Sequence, residues 1–98
     1  MSFKIKITPT AVNVLRKLKI NQSNNKDYQT VGKAIKFLGD NPRHPGLQTH
    51  IIYSIKGPFG EKVFEAYVQH NTPSAYRIFF YYGSNKKEIT IFSIIPHP

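Results

Sequence analysis

Ninety-eight residues make one domain, with a core that buries roughly 60 to 70% of the unfolded chain's surface, and leave no room for a second. The absence of cysteine excludes a disulfide framework and a thiolate metal site, and makes a reducing cytoplasm the simplest compartment. Fourteen Lys and Arg against five Asp and Glu give a formal charge of +9, so nucleic acid is the natural partner, with solubility or an acidic protein as other uses of the same charge. No leader opens the chain and no long apolar run follows, so a soluble, unexported protein with no membrane contact is expected.

Phe3, Ile5 and Ile7 alternate with Lys4 and Lys6, the period-2 pattern of a strand with one wet face, and the lysines mark it as an edge. Thr8 and Pro9 then open a helix, with a hydroxyl at the N-cap and proline at the first helical position. Its stripe is Ala11, Val14, Leu15 and Leu18, and Arg16, Lys17 and Lys19 gather where positive charge suits the helix dipole. Residues 21–26 form a polar connection, after which Asp27 caps a second helix predicted over residues 28–38. Tyr28, Val31, Ala34, Ile35 and Leu38 line one side of it, and Lys33 and Lys36 point outward. Gly39 and the Asp40-Asn41-Pro42 run end it.

The sheet must come from the remainder. Residues 47–54 read as a strand, 55–61 as a turn built on Gly57-Pro58 and Gly60, and 62–69 as a second strand. In that strand Phe64, Ala66 and Val68 should face the helices, leaving Val63, Glu65, Tyr67 and Gln69 on the opposite side. His70-Asn71-Thr72-Pro73 leads into a hairpin whose strands, 76–82 and 89–95, flank Gly83-Ser84-Asn85-Lys86. Tyr76, Ile78, Phe80 and Tyr82 share one face with Ile89, Ile91 and Ile95, and Arg77, Phe79 and Tyr81 share the other with Thr90, Phe92 and Ile94. Pairing Tyr82 with Lys87 sets Arg77 opposite Phe92 and brings Pro96-His97-Pro98 close to Arg77. The predicted class is α+β: an N-terminal strand, an antiparallel helical hairpin, then a three- to four-stranded antiparallel meander.

Arg77 interrupts an oily face, which suits either phosphate binding or an ion pair with Glu65. Lys56 and Lys62 flank the Gly-Pro turn and can hold phosphates or remain solvated. Tyr67 and Tyr81 can stack on bases or simply pack. His44, His50, His70 and His97 lack a short ligand spacing, so no metal site is expected, and there is no glycine-rich phosphate cradle or other sign of a cofactor.

The segment Asn41-Pro42-Arg43-His44-Pro45-Gly46-Leu47, the Ile55-Lys56-Gly57 turn, the Tyr76-Arg77-Ile78-Phe79-Phe80 strand and the final Ile94-Ile95-Pro96-His97 together resemble the RelE/ParE superfamily of toxin–antitoxin, or plasmid stabilisation, toxins. The resemblance runs from Phe3 to His97. It implies a toxin neutralised by a cognate antitoxin protein, and for its RelE-like branch an endoribonuclease that cleaves messenger RNA at the ribosome without metal. In that chemistry a 2′-hydroxyl attacks the adjacent phosphate, leaving a cyclic phosphate and a 5′-hydroxyl. By the resemblance Arg77 is the phosphate-binding arginine, His97 a proton-transfer group, and Glu65 a base or the residue that orients them. Lys56, Lys62, Tyr67 and Tyr81 become RNA contacts. The RelE pair of catalytic lysines is missing from the strand that holds Glu65 and Tyr67, and the basic tail of that type is missing after Pro98. A ParE-like gyrase inhibitor, or a catalytically inactive RNA- or protein-binding domain, therefore stands as the alternative.

Overall fold

The computed structural model describes residues 2–21, 25–68, 76–83, 85 and 87–96. Its elements are β1 (Lys4–Ile7), α1 (Pro9–Ile20), α2 (Asn25–Asp40), a 3-10 turn (Pro45–Leu47), β2 (His50–Lys56), β3 (Lys62–Tyr67), β4 (Tyr76–Tyr82) and β5 (Glu88–Pro96). The strands form one sheet in the order β1-β5-β4-β3-β2, an antiparallel meander of β2 to β5 with β1 added parallel to β5. This is the α+β arrangement expected, with β1 at an edge. Among the described residues no helix is long and apolar enough to cross a membrane.

Both helices form for the reasons visible in their sequence. The Thr8 hydroxyl accepts a hydrogen bond from the Ala11 N–H, Pro9 sits in the first turn, and Lys17 and Lys19 occupy the last. Ala11 and Leu18 of α1 and Val31, Ala34 and Leu38 of α2 are buried against Ala66, Val68, Ile78, Phe80, Ile89 and Ile91. That packing fills one side of the sheet. The other side is not covered by the helices.

Several boundaries differ from expectation. The second helix begins at Asn25 and runs through Gly39 to Asp40, so Asp27 lies in its first turn rather than at its cap. Gly39 is inside the helix because it packs against β1: a Cβ there would meet Ile5 Cγ1 at 3.3 Å. Leu47 belongs to the 3-10 turn and is buried, and β2 extends through Ile55 to Lys56. The predicted link 70–73, and Ser84 and Lys86 of the predicted turn, lie outside the described residues.

The register of the β4–β5 hairpin is also different. Tyr82 pairs with Ile89, not Lys87, and the register shifts between Phe79 and Phe80, whose partners are Ser93 and Ile91. The skipped residue is Phe92. Such a bulge inserts one extra residue and reverses the alternation beyond it. Arg77 therefore faces Ile95 instead of Phe92, and Ile94 joins the core while Ile95 lies beside Arg77. Counting by twos through the bulge puts those two isoleucines on the opposite faces from the ones they occupy.

Candidate functional site

Antiparallel pairing assembles the site from β2, β3 and β4. His50 faces Glu65, Glu65 faces Phe79, and Tyr67 faces Arg77. Arg77 thus reaches Glu65 across a diagonal, a distance that a long side chain spans. Its Nη1 donates to Glu65 Oε2 at 2.8 Å, while His50 Nε2 lies 2.9 Å from Oε1. The carboxylate is held from both sides.

Exposure separates the roles. The Glu65 side chain is only 3% exposed, Arg77 24% and His50 45%. A carboxylate so deeply covered offers almost no surface to a ligand; it holds the side chains on either side of it. Its place on the uncovered face follows the predicted alternation, but its burial does not suit a solvated base. Burial at this cost is tolerated because the Arg77 guanidinium and the His50 ring both lie within hydrogen-bond reach of it.

His50 is fixed at both nitrogens, for its Nδ1 lies 3.1 Å from the Gln48 carbonyl oxygen. Both neighbours are hydrogen-bond acceptors, and the ring's tautomer decides which of them it donates to. Gln48 supplies that carbonyl from a left-handed backbone, φ 47°, as the chain turns from the 3-10 turn into β2. The phenol of Tyr67 completes the cluster. Burial pushes its pKa up first, then the Glu65 charge and a hydrogen bond to that carboxylate, with Arg77 pulling it back.

Arg77 is further shaped by Phe79, whose ring centroid lies 5.6 Å from the guanidinium carbon. Among the described residues its Nε is buried without a hydrogen-bond partner. From Phe79 an aromatic row continues along the same face: Phe92 is 6.4 Å from Phe79 and 5.8 Å from Tyr81, centroid to centroid.

Of the residues singled out from sequence, Arg77, Glu65 and Tyr67 come together. Tyr81 lies in the aromatic row. Lys56 and Lys62 face one another across β2 and β3, at the far end of that hairpin. Lys56 also lines a pocket with Tyr81. His97 lies outside the described residues. Sequence reasoning missed His50 as a partner of Glu65 because it weighed His50 only as a metal ligand. Its position opposite a lone strand carboxylate was the usable signal.

No family model matches the chain, and no curated protein matches it. Among solved structures, a chain of the archaeal RelE–RelB complex from Pyrococcus horikoshii OT3 matches over 98% of this chain and 96% of that one. The TM-score is 0.64 at 18% sequence identity. The architecture is a helical hairpin on an antiparallel meander with one uncovered face. More particularly, it is a RelE-like fold, that of the chain in the archaeal complex.

Proposed function

We propose that this chain is a RelE-like toxin that cleaves RNA without metal, acts on messenger RNA at the ribosome, and is restrained by a cognate antitoxin protein. The observation that carries the reading is Arg77, part-exposed on the uncovered face and held at one nitrogen by buried Glu65. In the reaction the 2′-hydroxyl gives up its proton as its oxygen bonds to phosphorus, and the 5′-oxygen takes up a proton as its own bond to phosphorus breaks. Arg77 stabilises the charge of the intervening phosphorane. Glu65 positions Arg77 and His50. Proton transfer falls to His97 by the family resemblance. The RelE–RelB pairing of the archaeal complex supports an antitoxin partner of that kind.

A second reading draws on the same cluster. Glu65 engages both Arg77 and His50, and both His50 nitrogens are occupied, as a purely structural network would have them. That favours a ParE-like, non-hydrolytic toxin or an inactive binding domain. Incubation with translating ribosomes and mapping of RNA ends separates the readings. Arg77→Ala is expected to cut cleavage about a hundredfold or more, as loss of one oxyanion donor does. Intact RNA together with gyrase-dependent DNA breaks would establish the second reading instead.

A further inference from the structure

A pocket of about 210 Å³ lies on the uncovered face beyond the Arg77 cluster, lined by Thr8, Lys56, Gly57, Pro58, Tyr81 and Phe92. It is smaller than the roughly 300–1,000 Å³ clefts that enclose whole small molecules. Its size suits one flat ring. Tyr81 and Phe92 provide two aromatic surfaces inclined at 38°, and exposed Lys56 adds a cation.

Both walls are fixed in advance. The Phe92 bulge is tied to the start of α1, where the Thr8 N–H donates to the Ile91 carbonyl at 3.0 Å and the Thr8 hydroxyl to the Phe92 carbonyl at 3.3 Å. Opposite, the Gly57 N–H donates to the Glu61 carbonyl at 2.9 Å and the Gly60 N–H to the Gly57 carbonyl at 3.0 Å. Glu61 Oε1 also accepts from the Phe59 N–H at 2.8 Å. A preformed apolar slot spends little on ordering when a ligand enters.

The charge of the molecule narrows the ligand. Lys56 and Lys62 are set directly opposite each other, an arrangement that repels until an anion lies near them. Along β4, Arg77 and Tyr81 are four residues apart, roughly 13 Å on the same face. A short oligonucleotide with a phosphate at Arg77 can place a neighbouring base in the slot.

We propose that this pocket binds a single unstacked nucleobase of the RNA strand whose phosphate lies at Arg77. The proposal rests on the RNA-directed reading above. Tyr81 and Phe92 receive the base by stacking and edge contact, Pro58 closes the far side, and Lys56 holds the adjoining phosphate. The Thr8 hydroxyl, committed to the Phe92 carbonyl, builds the wall and does not read the base.

The test uses 2′-O-methyl RNA oligonucleotides, which cannot be cleaved by 2′-hydroxyl attack, with 2-aminopurine walked through successive positions. The expected result is salt-dependent binding lost in Arg77→Ala, with fluorescence changing at one position only. Tyr81→Leu and Phe92→Leu should each weaken binding about tenfold and abolish that signal. Lys56→Gln should lower the salt slope by about one phosphate's worth. Circular dichroism checks that the variants fold, and Pro58→Ala, in the exposed turn, carries the test if Phe92→Leu does not. Arg77-dependent binding with no position-specific signal would overturn the base pocket alone and leave the slot to a protein side chain. Failure of the wild-type chain to bind any of these oligonucleotides would overturn the base pocket, while the RNA-directed reading falls only if RNA ends mapped on translating ribosomes show no cleavage.

Discussion

Glu65 and Arg77 form a charge-assisted hydrogen bond of 2.8 Å in which the acid is nearly sealed from water and the base is not. Removing Arg77 therefore does two things at once: it takes a cation from the surface and strips a buried carboxylate of a partner. Arg77→Ala is expected to lower unfolding free energy by about 3 kcal/mol, the lower end for breaking a buried pair because His50 remains. Urea unfolding of the two single variants and of the double variant Arg77→Ala with Glu65→Gln checks it. The coupling should be about 0.5–3 kcal/mol. A double variant that simply adds the single losses would show that the two side chains act independently.

The Phe92 bulge makes a sharp prediction about two adjacent isoleucines. Ile94 is 1% exposed and Ile95 36%. Ile94→Ala should cost about 2–5 kcal/mol, whereas Ile95→Ala should cost about 1 kcal/mol or less. Unbulged pairing demands the reverse order, so thermal melts of the two variants decide the register.

Thr8 links α1 to the sheet through its cap and its bond to the Phe92 carbonyl. Thr8→Ala is expected to cost about 1–2 kcal/mol, the range for a lost N-cap. Thr8→Ser keeps both bonds and should recover most of that stability. Equal losses in the two variants would mean that packing of the methyl, not hydrogen bonding, matters there.

Alkali should unfold the protein through its tyrosines. Burial raises the Tyr82 pKa, with Arg43 opposing, and burial followed by the Asp27 charge raises that of Tyr76. Below the ordinary phenol value near 10 both states hold these protons and the full stability is present. As pH rises from there through the higher folded values, the unfolded chain alone ionises and stability falls. Urea midpoints measured at a series of pH values from about 9 upward should decline, and Tyr82→Phe should make the decline shallower. An unchanged slope in that variant would exclude Tyr82 as a contributor.

Local chemistry carried the helices and most strands from sequence to structure. Thr8-Pro9 caps α1, and the stripes Ala11/Leu18 and Val31/Ala34/Leu38 are buried where their spacing puts them. What depends on partner strands was harder to read. The bulge at Phe92 is invisible to period-2 counting, because apolar residues on both sides of it give either register an oily face. His50 gains its meaning only when β2 lies beside β3, and the slot beneath the β2–β3 turn draws on Thr8, Pro58, Tyr81 and Phe92, which no short motif joins. Arg77 and Glu65 were legible as a pair; how deeply the acid is buried was not.

The last strand sits between the first and the fourth, so β1 finds its hydrogen-bonding neighbour more than eighty positions downstream, Lys4 beside Glu88. During translation a nascent chain lacking β5 has one unpartnered strand, a three-stranded remnant and no Phe92 to complete the aromatic row. Pairings of this span close late and slowly. The chain would thus stay unassembled until β5 has been made, and fragments that stop before Glu88 are expected to remain unfolded by circular dichroism.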